Sequence, residues 1–390
     1  MKEKNMKICM ITGDFPPNCG GIGNYVSNLS LKLKEKGHTV TIITRHDNLG
    51  VKKEYFYGID IYRISCPKIY PFHARIHTHL SQKFFLENLS HSTDIIHYHS
   101  PLIGFFSTEH PSIVTEHGTV FGGIKNSRFE DLNSLMQMLF LPEFYCLDKK
   151  VMKNADIIAS VSTSCTNEIK NKYNITPEKI FTVGNGVDVN FFCPKNDNIQ
   201  NLPYVLYTGR LDSRKGLIDL IYAAHILHIR YPHVNFIFTG KGPYKKFIEK
   251  KIKQLKLENT IFLVNYVSKN ELLKLYQNAT IYILPSYYEG LPTSLLEALS
   301  CGISCIATNV SGNNEIIVHG SNGLLTPPNN PRKLADSIEY LLENLDEKRK
   351  FSITGRETII SHYSWDTIAD HYIELYKKLL KKPINKKFNR

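Results

Sequence analysis

The feature that most constrains the fold of this chain is a regular alternation of short β-branched segments with helical segments. In the first half, segments rich in Ile, Val and Thr predict strands at residues 7–12, 39–44, 59–64, 94–98, 112–116, 156–161 and 179–183. Several are continuous apolar runs, as is typical of strands covered on both faces. The alternation therefore predicts βα units and parallel sheets.

A polar segment at residues 193–203 interrupts the alternation, which then starts again. Strands are predicted at 204–208, 234–239, 260–264, 280–284 and 303–307, and helices at 217–230, 244–255, 269–278, 293–300, 332–344 and 365–380. We therefore expect an α/β chain of two Rossmann-like, doubly wound parallel-sheet domains that face each other across a cleft. Because ligands bind outside the carboxyl ends of parallel strands, the chemistry is expected in the loops after strands.

Composition excludes several classes of protein. The 390 residues are 42% hydrophobic and 22% charged, so the chain can bury sizeable cores. No uncharged apolar run approaches the roughly 18–20 residues that span a bilayer, and no signal peptide is recognisable, so we expect a cytoplasmic protein. The eight cysteines are scattered without a C-x-x-C pair, which argues against a disulfide framework or a zinc site.

The net charge of +12 is concentrated near the end of the sequence. After Glu374 come seven Lys or Arg residues and no acid. Residues 377–390 therefore suit an anionic membrane surface or nucleic acid, or they are a solvated terminus. The apolar stretch 134–147 is likewise open to two interpretations, a membrane-contacting segment or a packed helix.

A glycine-rich loop follows the first predicted strand and leads directly into a helix. It contains Gly21-Ile-Gly23, and glycine lets the backbone approach an anion at a helix N-terminus. The pattern G-x-G-x-x-G is matched only at its first two glycines, because Val26 occupies the third position. The loop alone fits a dinucleotide, another phosphate-bearing ligand or a plain tight turn.

Two further strand ends carry residues suited to chemistry. Thr115-Glu-His117-Gly ends a strand in the first half, where an imidazole can donate to a sugar hydroxyl or a carbonyl. In the second half, Gly209-Arg210-Leu-Asp-Ser-Arg-Lys215-Gly lies between a strand and a helix. Its Arg and Lys are the cations that a diphosphate requires, since Arg can grip two oxygens and Lys acts as a point charge.

The most informative stretch is Glu289-Gly-Leu-Pro-Thr-Ser-Leu-Leu-Glu297. It places one carboxylate in a loop and the other one turn into the following helix, whose first amides can receive a phosphate. Glu289 can accept from a sugar hydroxyl and Glu297 from ribose hydroxyls. The alternative is a capping acid at Glu289 and a solvent-facing Glu297.

Together these motifs resemble glycosyltransferase family 4, the group 1 glycosyl transferases, which are retaining enzymes of the GT-B fold. The resemblance covers nearly the whole chain and implies a first domain at 1–193, with a crossover helix at 365–390 packing back on it, and a donor domain at 194–364. It implies a hexosyltransferase that uses a nucleotide-diphosphate sugar, with UDP favoured over GDP. The acceptor it implies is a glycan, a lipid-linked molecule or a small molecule.

The resemblance also implies a role for each motif residue. His117 contacts the donor sugar, Arg210 and Lys215 neutralise the diphosphate, and Glu289 holds sugar hydroxyls, so these four form the expected catalytic group. The remaining expected donor contacts are Gly21, Gly23, Gly209, Val267 near the base, Gly290, Leu291, Pro292, Thr293, Ser294, Leu295 and the ribose-binding Glu297.

The expected mechanism is a front-face displacement in which the leaving diphosphate receives the acceptor proton. The sequence contains no D-x-D motif, so we expect no metal and no cofactor. A nucleotide-sugar epimerase of the same fold and a dinucleotide-dependent oxidoreductase remain as alternatives. A nucleic-acid binder would leave the paired glutamates without a role, so we expect no nucleic-acid partner.

Overall fold

The computed structural model describes residues 5–17, 20–66, 72–101, 103–120, 139–195, 203–265 and 267–381. The chain forms two compact units, Met1–Gly184 with Trp365–Arg390, and Asn185–Ser364. The first boundary thus follows Gly184 rather than residue 193. The reason is local packing: Phe192 is buried in the core of the second unit, and the Val187 amide donates to the Tyr363 carbonyl at 2.8 Å.

The first unit is built on a sheet with strand order β3-β4-β2-β1-β5-β6-β7-β8 in its described part. Its strands are β1 (Lys7–Ile11), β2 (Thr39–His46), β3 (Val51–Phe56), β4 (Ile59–Ser65), β5 (Ile95–Ser100), β6 (Ser112–Glu116), β7 (Ile157–Ser160) and β8 (Ile180–Thr182). Its helices begin with α1 (Gly21–Glu35), α2 (His73–Asn88), α3 (Leu141–Asn154) and α4 (Thr163–Tyr173).

The edge strand β3 is the exception to the parallel arrangement, because it pairs antiparallel with β4. The two are joined at Tyr57 and Gly58, which have φ values of 48° and 75°. Two consecutive positive φ values are those of a tight hairpin turn. The predicted parallel sheet thus carries one antiparallel edge strand that the sequence analysis did not predict.

The second unit is built on a wholly parallel sheet with order β11-β10-β9-β12-β13-β14 in its described part. Its strands are β9 (Tyr204–Thr208), β10 (Asn235–Thr239), β11 (Ile261–Val264), β12 (Ile281–Leu284), β13 (Cys305–Thr308) and β14 (Leu324–Thr326). Its helices are α5 (Leu217–Leu227), α6 (Lys245–Gln254), α7 (Lys269–Asn278), α8 (Thr293–Ser300), α9 (Asn313–Ile316), α10 (Pro331–Glu343) and α11 (Leu345–His362).

The last described helix, α12 (Trp365–Lys381), belongs to the first unit. Its apolar face, which includes Ile368 and Tyr372, is buried in the same core as Val26 and Leu29 of α1. Residues 382–390, which hold most of the predicted basic tail, lie outside the described residues.

The apolar stretch 134–147 is described from residue 139 onward. Phe144 and Leu147 of α3 are buried, whereas Leu139 is exposed. The described part of this stretch thus packs as a helix from Leu141. None of the described helices combines the length and apolar character needed to cross a bilayer.

Candidate functional site

The loop after β9 is held against two neighbouring loops at glycine positions. Gly216 ends a short 3-10 turn (Ser213–Lys215) with φ of 63°, and a Cβ there would lie 1.9 Å from the Pro285 carbonyl oxygen. A Cβ at Gly240, in the loop after β10, would lie 1.9 Å from the Gly209 carbonyl oxygen. Only glycine permits both approaches, so the loops after β9, β10 and β12 form one compact group at the carboxyl ends of the strands.

Within this group the structure brings Lys215 and Glu289 together. Lys215 Nζ lies 2.6 Å from Glu289 Oε1, with the two side chains 20% and 10% exposed. Ser286 Oγ donates to the same oxygen at 2.6 Å. A carboxylate with a cation and a hydroxyl on one oxygen is held in a fixed position, and its other oxygen is the one that a ligand can use.

Arg210 lies in the same loop but is much more open. Its side chain is 66% exposed, and its Nε lies 3.6 Å from Asp212 Oδ2. Asp212 is buried and also accepts from the Arg214 amide at 3.0 Å. Because exposed ion pairs of this kind contribute little, the Arg210 guanidinium can exchange its partner for a ligand anion.

The loop from Glu289 leads into α8, whose N-cap Pro292 supplies no side-chain hydrogen bond. The Leu295 amide already donates to the Pro292 carbonyl at 3.2 Å. The Leu295 amide thus already has an acceptor, whereas the amides of Thr293 and Ser294 precede the first intrahelical bonds, and phosphate binding at this helix start stays a prediction.

Glu297 lies one turn into α8, is half-buried, and contacts a tyrosine. The Tyr276 hydroxyl donates to Glu297 Oε2 at 2.9 Å and lies 2.6 Å from Thr208 Oγ1, from which it accepts. Burial raises the pKa of Glu297 to about 7, and the bond from Tyr276 opposes this rise. Glu297 is thus poised between its neutral and charged forms near neutral pH.

Leu291, at the centre of the same loop, receives a contact that the motifs did not indicate. Its carbonyl accepts from Asn185 Nδ2 at 2.5 Å, and Asn185 is itself buried. Val267 lies apart from this group and lines a cavity of about 740 Å³ with residues that include Tyr204, Ile237 and Phe262.

The two glycines of the first unit lie at the start of α1. Gly21 is the first helical residue, is exposed, and has open space where a Cβ would project, whereas Gly23 is buried. The amide of the N-cap Gly20 donates to Asp14 at 2.6 Å. The helix start thus remains accessible at Gly21, and residues 18 and 19 of the loop lie outside the described residues.

His117 follows β6 in the first unit and is held on two sides. Its Nε2 lies 3.2 Å from His99 Nδ1, and the ring of Tyr25 meets it edge-on at 4.6 Å between centroids. Burial lowers the pKa of His117 to about 3. The imidazole is therefore neutral near pH 7 and can donate from one ring nitrogen only.

A pair of buried acids, Glu116 and Asp148, supports the turn that carries His117. Glu116 Oε1 accepts from the Gly118 amide at 3.2 Å, and Asp148 accepts from Ser100 Oγ at 2.6 Å and from the Tyr173 hydroxyl at 3.0 Å. Burial raises the pKa of both acids. The hydrogen bonds that Asp148 accepts oppose the rise of its pKa, whereas the charge of Asp148 raises the pKa of Glu116 further, so Glu116 is the acid of the pair that takes up a proton first.

Within the described ranges, no three His, Cys, Asp or Glu side chains are grouped as metal ligands would be. The charged groups after β9 and β12 instead include the cations Arg210 and Lys215 and the carboxylates Glu289 and Glu297, beside the start of α8. This combination suits a ligand with both phosphates and hydroxyl groups.

Comparisons with known proteins agree on one family. Residues 19–191 match the model of "Glycosyltransferase Family 4", and residues 190–358 match that of "Glycosyl transferases group 1". An uncharacterized glycosyltransferase of Methanocaldococcus jannaschii is 25% identical over 95% of this chain and 98% of its own.

Two solved structures have a similar fold. The sucrose-phosphate synthase of Thermosynechococcus elongatus has a TM-score of 0.80 and 22% identity, covering 96% of this chain and 99% of its own. An Anabaena protein solved in complex with UDP and glucose has a TM-score of 0.73 and 17% identity, covering 96% of this chain and all of its own. At these identities the likeness shows the fold.

Proposed function

Because the chain belongs to the family 4, group 1 glycosyltransferases and has their GT-B fold, we propose that it transfers a hexose or N-acetylhexosamine from a nucleotide-diphosphate sugar with retention of configuration. The observation that carries the proposal is the contact between Lys215 and Glu289. A cation beside a carboxylate suits a nucleotide sugar, which carries both phosphates and sugar hydroxyls, and this supports the proposal.

We assign the donor contacts of the second unit as follows. Lys215 and Arg210 neutralise the diphosphate, whose oxygens also meet the amides of Thr293 and Ser294. Glu289 accepts from the sugar, and Glu297 accepts from the ribose in its ionised form. The remaining contacts of the loops are made by the backbone of Gly209, Gly290, Leu291 and Pro292.

From the first unit, the family resemblance supports a contact of the Gly21 and Gly23 backbone with phosphate and of His117 with the donor sugar. UDP is favoured as the nucleotide, and the Anabaena protein of the same fold binds UDP and glucose. The acceptor is a glycan, a lipid-linked molecule or a small molecule. A lipid-linked acceptor would place the enzyme at the cytoplasmic face of a membrane, with residues 377–390 against anionic lipid.

The proposed step is a front-face displacement. The bond between the anomeric carbon and the diphosphate oxygen breaks, a bond to the acceptor oxygen forms on the same face, and the acceptor proton passes to the leaving diphosphate. Arg210 and Lys215 stabilise the charge that develops on the diphosphate, so no metal is needed in the proposal. Removal of one such group typically costs 10²–10³ in rate, or roughly 3–4 kcal/mol.

Thermal unfolding with UDP, GDP, ADP or NAD, in the presence of a chelator, tests the donor class. A nucleotide at about 100 times its Kd adds roughly 2.7 kcal/mol of stability and raises the midpoint by a few degrees. We expect a shift with UDP that Arg210→Ala removes. A shift with NAD alone would favour the oxidoreductase and contradict the proposal.

Product analysis then separates a transferase from an epimerase of the same fold. With a labelled nucleotide sugar and a mixture of candidate acceptors, transfer of the label with retained configuration supports the proposal. Conversion of the nucleotide sugar to its epimer without any acceptor would contradict it.

A further inference from the structure

A chain of hydrogen bonds in the first unit has a direction that can be worked out from its last member. The Tyr25 hydroxyl donates to the Gly184 carbonyl at 3.1 Å, and a carbonyl can only accept. Tyr25 therefore accepts from Tyr372 at 2.9 Å, which in turn accepts from Thr115 at 2.7 Å. Each hydroxyl has a single proton, so no other order satisfies all three bonds.

The same chain determines the tautomer of His97. Because the Thr115 proton is already used, Thr115 accepts from His97 Nε2–H at 2.7 Å. Burial lowers the pKa of His97, so the ring is neutral and its Nδ1 carries no proton. That Nδ1 accepts from the Tyr376 hydroxyl at 2.7 Å. His97 is thus saturated, and it is not available as a partner for the neighbouring His99.

The ring of His99 lies tilted against that of His97, at 4.1 Å between centroids, and makes one hydrogen bond within the described part of the chain. Its Nδ1 faces His117 Nε2 at 3.2 Å, and its buried Nε2 has no hydrogen-bond partner among the described residues. If His99 carried its proton on Nε2, that N–H would be buried without an acceptor. A buried donor without a partner is costlier and rarer than a buried acceptor without one.

We infer that His99 is a positioning residue that fixes the tautomer of His117: His99 Nδ1–H donates to His117 Nε2, so that His117 carries its own proton on Nδ1. His117 Nδ1 bonds to no described residue, and the edge-on ring of Tyr25 limits rotation of the imidazole. His117 therefore presents a fixed N–H donor.

The inference rests on the proposed function for its chemical meaning and deepens it. A neutral N–H donor recognises an oxygen lone pair, such as that of a sugar hydroxyl, and does not supply a proton to the leaving group. His117 would then orient the donor sugar, which agrees with a displacement in which the diphosphate takes the acceptor proton.

The first test uses the unmodified full chain. In ¹⁵N-labelled protein at neutral pH, long-range ¹H–¹⁵N spectra distinguish protonated from unprotonated ring nitrogens, and a His117→Gln variant identifies the His117 signals. We expect a protonated Nδ1 and an unprotonated Nε2 at His117. The reverse pattern, or a doubly protonated ring, would overturn the inference.

The second test uses two variants of His99. In His99→Asn the amide nitrogen can take the place of Nδ1 and still donate to His117, whereas His99→Leu removes the donor. We expect the leucine variant to shift His117 towards a mixture of tautomers and to lower kcat about 10- to 100-fold, with the nucleotide Kd changed less than twofold. The asparagine variant should restore both the His117 signal and most of the rate.

A buried histidine elsewhere in the unit provides the matched control. His77 is buried and bonds to Ser81 at 3.1 Å, so His77→Asn should alter neither the His117 signals nor kcat. Equal kinetic losses in His77→Asn and His99→Leu would show a general structural effect and overturn the positioning role. Failure of sugar transfer with every donor would remove the proposed function but leave the spectroscopic result intact.

Discussion

Lys215 Nζ and Glu289 Oε1 lie 2.6 Å apart, although the residues are 74 positions apart in the sequence. Both side chains are largely shielded from water, so each stabilises the charge of the other. A ligand phosphate that attracts Lys215 must therefore compete with Glu289. Binding of the diphosphate would release a carboxylate oxygen for the sugar.

A double-mutant cycle measures this pairing. We expect Lys215→Met and Glu289→Gln each to lower the free energy of unfolding by about 1–3 kcal/mol, because each leaves a shielded group without its partner. The loss of unfolding free energy in the double variant should be smaller than the sum of the losses in the two single variants, by about 1 kcal/mol or more. Urea unfolding gives the values. For the exposed pair Arg332–Asp336, at 3.3 Å, the coupling should stay below about 0.5 kcal/mol, and an equal coupling in both cycles would contradict this account.

Arg210 should matter for turnover and not for folding. Its side chain is 66% exposed, so we expect Arg210→Ala to shift the unfolding midpoint by less than about 1 °C and to lower kcat/KM by about 10²–10³. Arg332→Ala is the control, because Arg332 is also an exposed arginine that pairs with an acid, and this variant should retain full activity. Near-normal turnover of Arg210→Ala would contradict the role of this residue.

The protonation of Glu297 should appear in the affinity for nucleotide. Its pKa is raised to about 7, and the proposed contact with ribose requires the ionised form. We therefore expect the Kd for UDP, measured by calorimetry, to increase about tenfold as the pH falls from 8 to 6. In Glu297→Gln the Kd should keep only the pH dependence that comes from titration of UDP itself. Equal slopes in the two proteins would show that Glu297 is not the titrating group.

The buried acids predict opposite outcomes for two isosteric changes. Glutamine mimics protonated Glu116, since its oxygen still accepts from the Gly118 amide and it places no second charge beside Asp148. We expect Glu116→Gln to fold normally, whereas Asp148→Asn should lose about 2–4 kcal/mol because an amide nitrogen cannot accept from all the donors that Asp148 serves. Equal losses in the two variants would contradict the assignment of Glu116 as the acid that takes up a proton first.

The pH dependence of unfolding tests the same assignment. The folded pKa of Glu116 is raised above its unfolded value, so unfolding releases a proton above about pH 4.5. This contribution makes the wild type less stable as the pH rises towards the folded pKa, by up to about 1.4 kcal/mol per pH unit. Glu116→Gln lacks this contribution, so in urea unfolding its stability relative to the wild type should increase as the pH rises above about 4.5.

Alanine substitutions at Gly216 and Gly320 distinguish the cost of a steric clash from the cost of backbone strain. Both have left-handed φ values, 63° and 76°, but a Cβ at Gly320 meets open space. Gly320→Ala should cost about 1–2 kcal/mol, and Gly216→Ala distinctly more, because its methyl group would meet the Pro285 carbonyl. Thermal unfolding of the two variants gives the difference, and similar losses would contradict the tight packing of these loops.

The alternation of strands and helices predicted most of both sheets, and β9 agrees with its predicted range in full. It did not predict β3, whose sequence Val-Lys-Lys-Glu-Tyr-Phe has the charges of an exposed edge rather than a buried run. Nor did it predict β14, a three-residue strand at the edge of the second sheet. Edge pairing and very short strands depend on partners far away in the chain.

The site was predictable as a set of loops and not as a set of contacts. Strand ends and charged motifs identified Arg210, Lys215 and Glu289. Lys215 pairs with Glu289, and Asn185 donates to the carbonyl of Leu291, which lies 106 positions away in the sequence. No local sequence pattern predicts either contact. Glu116 is a further case. The sequence places an acid at the end of an apolar strand, and its role is evident only from the structure, in which Asp148 lies beside it.

The placement of α12 has a consequence for biosynthesis. The second unit is one continuous segment, whereas the first is made of two segments separated by the 180 residues of Asn185–Ser364. The core that contains Val26 and Leu29 cannot close until Trp365–Lys381 has been translated. At about 5–20 residues per second, synthesis of the intervening segment takes roughly 10–40 s. During this time the apolar face of the first unit that α12 will cover stays exposed. The second unit can meanwhile complete its fold.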